Sequence, residues 1–333
     1  MRKINVAVLM GGKSSEREIS LVTGRNIVEA LDKKKYNAFP IDTAGIGANA
    51  LNQASVFGYL PGNEAEECIA CTISPEQIVP DVAFIALHGR FGEDGTIQGM
   101  LELAGIPYVG SGVLASALAI DKIMARKVMQ ADGIPMAKGI SIESRSMTND
   151  LIDRVICELG FPVVVKPNKE GSSFGLSIAR SAEEFGPAVE LAFKYDDSVL
   201  LEEYIDGIEI TVPVLGNEEL TALPIIEIVP TNSYYDTESK YAPGGSTHII
   251  PAGISENATA FAKELAVKSH KSLGCSGVSR VDMIVRNEEV FVLEVNTIPG
   301  MTSTSLLPES ARHIGIEFPQ LLDKLIGFAL DKR

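Results

Sequence analysis

The sequence has few cysteines, no long apolar run and no excess of basic residues, and each absence excludes a class of protein. Four cysteines occur in 333 residues. Cys68 and Cys71 form one CxxC pair, without the second pair or nearby histidines that a structural zinc site needs. No apolar run is long enough to cross a bilayer. Residues 4–9 are apolar but end at Gly11 with no small-residue cleavage pattern, so they predict a buried strand rather than a signal peptide. These features together predict a cytoplasmic protein.

The charge balance is acidic, with 44 Asp and Glu against 29 Lys and Arg and a net charge of −15. This balance argues against nucleic acid or an anionic membrane as the main partner. It remains compatible with a small anionic ligand, because a few local Lys and Arg residues are enough to define one pocket. Hydrophobic residues make up 45% of the chain, as in ordinary globular proteins, and the length suits two or three domains.

The first part of the chain alternates strands with helices. Residues 4–9 and 82–87 read as strands, a helix follows each, and a short strand lies around Tyr108. This order predicts a mostly parallel α/β sheet whose ligands gather at the carboxyl ends of the strands. The first helix is predicted to open with a capping box formed by Ser15 and Glu18. Its predicted buried face consists of Ile19, Val22, Ile27 and Leu31.

Beyond Ser111 the pattern predicts a helix to Gly133 and then two strands, 161–166 and 176–179, around a Gly-Ser-Ser loop. The helix's predicted buried face is Leu114, Ala117, Leu118, Met124 and Val128. Domain boundaries are predicted near Gly110 and near Asp206-Gly207. These give domains 1–110, 111–206 and 207–333.

The segment 231–253 has neither helical nor strand periodicity. A loop this long inside a domain is typical of a functional lid, and its tyrosines argue against plain disorder. We expect its amide-exchange protection to rise when ligand binds.

A hairpin near the C-terminus carries the strongest functional signal. Two strand-like runs, 280–286 and 290–296, pair symmetrically about Glu288. This register predicts a core face with three apolar pairs and a second face with Arg280 opposite Asn296 and Asp282 opposite Glu294. The apolar pairs are Val281 with Val295, Met283 with Leu293, and Val285 with Phe291.

The opposed carboxylates favour a metal site. Asp282, Glu294 and Asn296 offer the hard oxygen ligands that suit Mg²⁺ bridging nucleotide phosphates. The alternative is a solvated face with Arg280 as the counter-charge. Because like charges repel across a strand pair, the metal hypothesis predicts that Asp282→Asn leaves the metal-free protein as stable or slightly more stable.

Three further features suggest a nucleotide or substrate site, and each has a simpler alternative. The run from Lys166 to Gly175 combines a lysine with Gly and Ser residues that let backbone N–H groups approach phosphate, or it is only a flexible turn. Glu16 begins the first helix above a strand end, where the helix dipole alone would favour an acid. His88 ends a strand before a Gly-rich loop.

Taken together, these motifs resemble the D-alanine–D-alanine ligases of the ATP-grasp superfamily. The resemblance covers nearly the whole chain in order. It includes residues 11–18, the His88 loop, the Lys166 loop, 202–209, Lys240-Tyr241, 280–282 and 294–303. The fold it implies has an N-terminal Rossmann-like α/β domain, a central domain and a C-terminal domain, with ATP held between the last two.

The resemblance also implies a role for each site residue. The ATP-binding residues would be Lys122, Lys166, Ser173, Glu202, Glu203, Ile205 and Glu209. Two Mg²⁺ ions, or Mn²⁺ in their place, would be held by Asp282, Glu294 and Asn296. Catalysis would rest on Glu16, Ser172, Tyr241, Arg280 and Gly300. The remaining substrate contacts would come from His88, Lys240, Ser305 and Leu306.

The activity implied is ATP-dependent joining of two D-alanine molecules through a D-alanyl phosphate, for peptidoglycan precursor synthesis. The partners implied are D-alanine, ATP and a second copy of the chain in a homodimer, with no nucleic acid and no membrane. The alternatives are a ligase of this fold that uses D-serine or D-lactate second, and a non-catalytic nucleotide-binding regulatory protein. A Rossmann dehydrogenase is disfavoured because the dinucleotide fingerprint is missing.

Overall fold

A computed structural model describes residues 2–45, 79–143, 151–230, 245–302 and 304–331. The strands are β1 (Ile4–Met10), β2 (Tyr36–Asp42), β3 (Val82–Ile85), β4 (Gly139–Glu143), β5 (Val163–Pro167), β6 (Ser177–Ala179), β7 (Ser198–Glu203), β8 (Ile208–Gly216), β9 (Thr221–Ala222), β10 (Ile226–Pro230), β11 (Ser246–Ile249), β12 (Gly277–Arg286) and β13 (Glu289–Asn296). The α-helices are α1 (Arg17–Ala30), α2 (Thr96–Leu103), α3 (Val113–Ile120), α4 (Lys122–Ala131), α5 (Leu151–Glu158), α6 (Ala182–Ala192), α7 (Glu256–Ser272), α8 (Leu306–His313) and α9 (Phe318–Asp331).

The chain folds into two units, one made of Met1–Gly110 with Gly300–Arg333 and the other of Ser111–Pro299. The first unit contains a parallel sheet in the order β2-β1-β3. The central strand, β1, is buried from Val6 to Met10, as its continuous apolar run requires when both faces are covered. The predicted alternation of strands and helices in this region is therefore confirmed.

The C-terminal helix α9 is tied to the first unit by polar contacts as well as packing. The carboxylate of Asp323 accepts hydrogen bonds from Lys35 Nζ at 2.8 Å and from the Tyr36 hydroxyl at 2.5 Å. Both donors lie at the start of β2, and α9 also packs against β3. These contacts explain why residues distant in sequence share one unit. The three-domain division drawn from the sequence stays a prediction.

The predicted buried face of α1 was right at Ile27 and Leu31 and wrong at Ile19 and Val22, and the predicted cap was wrong. The residues buried on this helix are Ser20, Thr23, Gly24 and Ile27, whereas Val22 is 48% exposed. Small residues face the sheet because the helix lies very close to it: a Cβ on Gly24 would come within 2.5 Å of the Met10 side chain. Glu16 occupies the N-cap position without a side-chain capping bond, so the predicted box of Ser15 and Glu18 does not form.

The second unit contains two antiparallel sheets. One has the order β4-β7-β5-β6 and packs its apolar side against α5 and α6. The other has the order β11-β10-β8-β12-β13, with β9 paired to β8. Its core residues, among them Ile210, Val281 and Met283, pack with α3, α4 and α7. Because side chains alternate along a strand, residues such as Asp282 and Ile284 occupy the opposite face.

The predicted single helix from Ser111 to Gly133 is two helices broken at Asp121. The Asp121 side chain caps α4 by accepting a hydrogen bond from Met124 N at 3.0 Å. The break rotates the buried face, so Leu114 is 72% exposed and Met124 42% exposed. The faces that pack inward are Ala115, Ser116 and Ala119 on α3, and Ala125, Arg126 and Met129 on α4. Gly133 has a φ of +70°, which confirms the predicted stop.

The hairpin confirms its functional pairs and the Val281–Val295 pair, and it corrects the two apolar pairs nearer the turn. Arg280 pairs with Asn296 and Asp282 with Glu294, but Met283 then pairs with Val292 rather than Leu293, through a register shift after Asp282. The cause is a two-residue turn: Asn287 and Glu288 have φ values of 47° and 74°, so Glu289 belongs to the strand. A bulge at Leu293 absorbs the resulting one-residue offset. The core side chains of β13 are consequently Val290, Val292 and Val295.

The predicted lid falls mostly on residues 231–244, which lie outside the described residues. The remainder, 245–253, was wrongly predicted to lack strands, since β11 pairs with β10 antiparallel. The side chains of β11 alternate only between partly buried and exposed positions. The strand therefore needs no alternating apolar residues, and its sequence shows none. Among the residues that the structure describes, no helix is long and apolar enough to cross a membrane.

Candidate active site

A cavity of about 400 Å³ lies between the two sheets of the second unit. The first sheet contributes residues of β5, β7 and the loop after β5. The second contributes residues of β8, β10, β12 and β13. Every predicted ATP-binding residue lines this cavity, as do Asp282 and Glu294. The structure thus brings together side chains that are up to 172 positions apart in the sequence, from Lys122 to Glu294.

Lys122 lines the cavity from the first helical position of α4. The Asn168 side chain accepts a hydrogen bond from Ile123 N at 2.9 Å and donates one to Asp121 at 2.9 Å. The Lys122 ammonium donates to the Glu170 carbonyl at 2.6 Å and lies 3.7 Å from Glu294. The helix start and the loop after β5 therefore form one rigid support for this cation.

The loop after β5 holds two non-glycine residues in the left-handed region. Ser172 and Ser173 have φ values of 48° and 60°, and Gly175 follows at 70°. Such conformations cost roughly 1–3 kcal/mol for an L-residue and collect at functional sites. Gly171 to Phe174 all line the cavity. The strain is consistent with a loop shaped for a ligand rather than with a relaxed turn.

Lys166 and Glu202 form a buried charge cluster with Arg126 at the cavity wall. Lys166 Nζ lies 2.6 Å from one carboxylate oxygen of Glu202, and Arg126 donates to the other oxygen at 2.7 Å. The Arg126 guanidinium also donates to the Ala137 carbonyl. Nothing in the sequence marked out Arg126, which is one of three basic residues on α4 together with Lys122 and Lys127.

The other residues at the end of β7 complete this wall. The Glu203 carboxylate accepts from Lys138 N at 2.9 Å, which fixes that side chain against β4. Ile205 is buried, and Glu209 faces the cavity from β8. This end of the cavity therefore combines an apolar surface with carboxylates, which suits a base and a sugar better than a phosphate chain.

Asp282 accepts hydrogen bonds on both carboxylate oxygens. Arg280 donates to both, Nε at 2.9 Å and Nη2 at 2.8 Å. Thr211, which is paired with Asp282 across β8, donates to one oxygen at 2.6 Å, and Asn296 donates to the other at 3.0 Å. These four bonds fill the usual acceptor capacity of a carboxylate. Arg280 is therefore the counter-charge of Asp282 in this state, as the alternative interpretation of the hairpin required.

The cavity has a strong excess of acidic groups. Of the described residues that line it, seven are acidic and only two are lysines. The acidic residues are Glu170, Glu202, Glu203, Glu209, Glu227, Asp282 and Glu294. An anion such as a nucleotide triphosphate would be repelled from such a surface unless cations entered with it. Within the described part of the chain, no group of three His, Cys, Asp or Glu side chains is arranged around a metal position.

Glu16 lies in the first unit at the start of α1 and is almost fully buried. Gly89 is packed against it, since a Cβ on Gly89 would come within 2.7 Å of a Glu16 carboxylate oxygen. The Ser14 hydroxyl donates to the His88 carbonyl at 2.7 Å, and the His88 ring contacts Thr23 at 3.3 Å. The predicted strand-end positions of Glu16 and His88 are thus brought together at the carboxyl ends of β1 and β3.

An ion pair beside Glu16 was missed in the sequence. Arg17 donates to both carboxylate oxygens of Asp42, at 2.9 and 2.6 Å, and to the Gly12 carbonyl at 3.0 Å. Asp42 ends β2 and also accepts from Gly12 N at 3.2 Å. The sequence did carry one signal: a Gly-Gly turn precedes α1, and the next strand, β2, ends in the acid Asp42. In this fold that acid holds the turn and Arg17 together.

Asp42→Asn is expected to lower the free energy of unfolding at pH 7 by about 1 kcal/mol, after allowance for the half-exposed pair. Burial alone would raise the pKa of Asp42. Hydrogen bonds from Arg17, Ala44 and Gly12 outweigh it, and the pKa is lowered from 3.8. The stabilisation is therefore present above the unfolded pKa and is lost as pH falls through the folded pKa. Urea unfolding at pH 7 and pH 3 checks this, and an equal deficit at both would contradict it.

The remaining predicted residues are placed as follows. Ser305 is the N-cap of α8 and its hydroxyl accepts from Thr302 N at 2.9 Å, while Leu306 is buried at the first helical position. Gly300 lies against Ser305, where a Cβ would come within 2.8 Å of its hydroxyl oxygen. A helix start of this kind suits a carboxylate. Lys240, Tyr241, Cys68 and Cys71 lie outside the described residues.

Two antiparallel sheets that hold a nucleotide-sized, lysine-bearing cavity between them define a protein of the ATP-grasp fold. Comparison with known proteins agrees. A family model described as D-ala D-ala ligase N-terminus matches residues 5–111, and one described as D-ala D-ala ligase C-terminus matches residues 128–327. This chain belongs to the D-alanine–D-alanine ligase family.

Individual relatives cover nearly the whole chain. The D-alanine–D-alanine ligase of Syntrophobacter fumaroxidans is 47% identical over 331 residues, which are 99% of this chain and 98% of the relative. The crystal structure of D-alanine–D-alanine ligase from Bacillus anthracis complexed with ATP has a TM-score of 0.79 at 32% identity, covering 99% and 98% of the two chains. The VanG D-Ala:D-Ser ligase from Enterococcus faecalis has a TM-score of 0.81 at 35% identity, covering 98% and 100%.

Proposed function

We propose that this protein joins two D-alanine molecules into D-alanyl-D-alanine at the expense of ATP, for peptidoglycan precursor synthesis. The observation that carries the proposal is the cavity between the two sheets. It brings Lys122, which lies 3.7 Å from Glu294, together with Lys166, Asp282 and the buried Ile205 in the lining of one cavity. A relative of the same family and fold is complexed with ATP. We therefore place the adenine near Ile205 and the phosphates near the two lysines.

Mg²⁺ fits the residues at the phosphate end. The carboxylates of Asp282 and Glu294 and the amide oxygen of Asn296 are hard oxygen donors, and the acidic excess of the cavity requires cations beside a bound triphosphate. When bound, the metal would neutralise charge on the phosphates. Because Asp282 already accepts four hydrogen bonds, one donor must leave. Turning over the Asn296 amide would remove one of the two hydrogen bonds to Asp282 Oδ2 and present a carbonyl oxygen beside it. Two ions, or Mn²⁺ in their place, remain a prediction.

The chain's own residues divide the chemistry into two steps. In the first, the lysines and the loop bearing Ser172 and Ser173 hold the transferring phosphoryl group while the first D-alanine carboxylate attacks it, giving an acyl phosphate and ADP. In the second, the amine of the other D-alanine attacks the acyl carbon and phosphate leaves. Arg280 and the Gly300 N–H would stabilise the tetrahedral oxyanion in this step.

The substrate contacts remain predictions. Glu16 would bind the ammonium of the first D-alanine, with Ser172 and Tyr241 linked to it by hydrogen bonds. His88 would contact the same substrate. The second carboxylate would be bound by Lys240, Ser305 and Leu306, where the start of α8 supplies a favourable dipole. A homodimer and a cytoplasmic location, where ATP is available, complete the proposal.

A phosphate-release assay with ATP tests the function and its alternatives. D-Alanine alone is expected to give the highest rate, while L-alanine gives none. D-Serine or D-lactate is expected to add little to a limiting amount of D-alanine. A clear gain with D-serine would assign the protein to the specificity that the name of the Enterococcus faecalis relative describes. Absence of phosphate release with every substrate would support a non-catalytic nucleotide-binding role.

Tyr241→Phe is expected to keep the fold and to loosen discrimination at the second substrate. The hydroxyl is predicted to link Glu16 and Ser172, and losing one such bond costs on the order of 1 kcal/mol. The measurement is dipeptide formation with D-alanine against D-serine as the second substrate. Unchanged rate and unchanged preference would show that Tyr241 does not have this role.

A further inference from the structure

Three charged side chains are buried together in the second unit. Arg126, Lys166 and Glu202 are 6%, 7% and 3% exposed. One carboxylate binds both cations, with Arg126 at 2.7 Å and Lys166 at 2.6 Å on different oxygens. Buried charges are retained only where they are paired, so a cluster of two cations and one anion has an unbalanced positive charge. That excess requires an explanation.

The cluster is oriented toward the cavity. Lys166 and Glu202 line the cavity wall, whereas Arg126 is absent from the described lining. Arg126 lies on α4, four residues after Lys122, so both basic residues project from the same face of one helix. The helix thus places Lys122 at the cavity and Arg126 behind Glu202. Gly139 closes the other side, since a Cβ there would come within 3.0 Å of the guanidinium carbon.

The charge arithmetic assigns Arg126 a function that depends on the nucleotide site proposed above. Without Arg126, the charge of Lys166 would be cancelled by Glu202 at 2.6 Å, leaving a neutral pair in an already acidic cavity. With Arg126 present, the guanidinium balances Glu202 and the ammonium keeps its charge for an anion. We propose that Arg126 is a positioning residue for nucleotide binding, which neutralises Glu202 from behind so that Lys166 attracts a phosphate group.

The charge series adenosine, ADP and ATP separates this role from a structural one. Calorimetric titration at constant Mg²⁺ is expected to show ADP and ATP binding weakened about tenfold or more in Arg126→Met, because a charge-assisted contact to phosphate is lost. Adenosine, which carries no phosphate, is expected to bind within about twofold of the parent. Equal weakening of all three ligands would overturn the proposal.

A double variant tests the mechanism directly. In Arg126→Met/Glu202→Gln the uncompensated carboxylate is removed, so the ratio of ATP to adenosine affinity is expected to recover most of its loss. Arg126→Lys keeps the charge and is expected to retain the preference for ATP, which keeps the test valid if the methionine variant does not fold. A double variant whose ratio of ATP to adenosine affinity stays as low as that of Arg126→Met would overturn the proposal.

The matched control is Arg154→Met, which removes an arginine from an exposed i,i+4 pair with Glu158 on α5 and should leave all three affinities unchanged. If Arg154→Met lost as much ATP affinity as Arg126→Met, the effect would not be specific to the buried cluster and the proposal would be overturned. ATP binding by the wild type separates failure of the proposed function from failure of this inference. If it binds no ATP, the proposed function fails and this inference with it. If it binds ATP normally while Arg126→Met matches it, only the inference fails.

Discussion

Asp282→Asn is expected to abolish or severely reduce ligation, with phosphate release falling at least about 100-fold, because charge on the transferring phosphoryl group loses a partner. The metal-free variant is expected to be less stable by roughly 3 kcal/mol, since Arg280 would then lie beside a neutral amide in a largely buried position. The second expectation reverses the one drawn from the sequence. Opposed acids predicted repulsion, but the donors Arg280, Thr211 and Asn296 surround the Asp282 carboxylate.

Activity and stability must be measured together, because a purely structural ion pair would also cost stability. Thermal unfolding of wild type and variant, each with and without Mg²⁺-ATP, is expected to show a ligand-induced rise in the wild type that the variant lacks. Asp132→Asn, an exposed change on the same unit, is the control and should match the wild type. An Asp282→Asn protein that melts early yet turns over at the parent rate would identify a scaffold rather than a metal site.

Glu294→Gln complements this test with less structural cost. The contact of Glu294 with Lys122 is long, at 3.7 Å, and the side chain is about a quarter exposed. We expect its melting temperature to stay near that of the wild type while Mg²⁺ dependence of ATP binding weakens. If the Mg²⁺ dependence is unaltered, Glu294 is not a ligand.

Glu16→Gln is expected to raise KM for D-alanine about 10- to 100-fold with the fold intact, because a hydrogen-bonded charge pair with the substrate ammonium is worth roughly 1.5–3 kcal/mol. KM for ATP should change little, since the predicted contact of Glu16 is with the amino acid. Steady-state kinetics with each substrate varied in turn provides the measurement. A simple dipole-favoured acid at the helix start would instead cost about 0.3–1 kcal/mol of stability and no substrate affinity.

Glu18→Gln is the matched control for Glu16→Gln. Glu18 is also an acid of the first turn of α1, but it is exposed. Both changes weaken the interaction with the helix dipole, so only a substrate contact separates them. Comparable KM values for D-alanine in the two variants would remove Glu16 from the proposed site.

Much of the fold was predictable where the local pattern and the tertiary environment agree. The buried run of β1 and the stop at Gly133 are examples, because continuous burial and a left-handed glycine leave direct marks in the sequence. Helix faces were less predictable. On α1 the sheet approaches so closely that small residues replace large ones, and Val22 remains outside. On α3 and α4, the break at Asp121 changes the phase of the apolar pattern, which a single-helix interpretation cannot follow.

In the hairpin, the strand pairs at the site were predictable from the sequence, but the register beyond them was not. The pairs Arg280–Asn296 and Asp282–Glu294 followed from alternation, and the structure has them. The offset beyond Asp282 did not follow, because a tight turn at Asn287-Glu288 and a bulge at Leu293 compensate each other. Pairing rules predict the net register of two strands. They do not predict the positions of a turn and a bulge whose one-residue shifts cancel.

The sequence by itself determined the family and gave site roles to both lysines and to five of the seven acidic residues of the cavity, all but Glu170 and Glu227, since residue types and spacing persist without coordinates. Only the tertiary structure decided the electrostatic partners. Arg126 reaches Glu202 across 76 positions and Thr211 reaches Asp282 across 71, and Arg17 meets Asp42 at the end of a neighbouring strand. The physical reason is that a charge's energy depends on the groups within a few ångströms of it, and chain folding rather than sequence proximity brings those groups together.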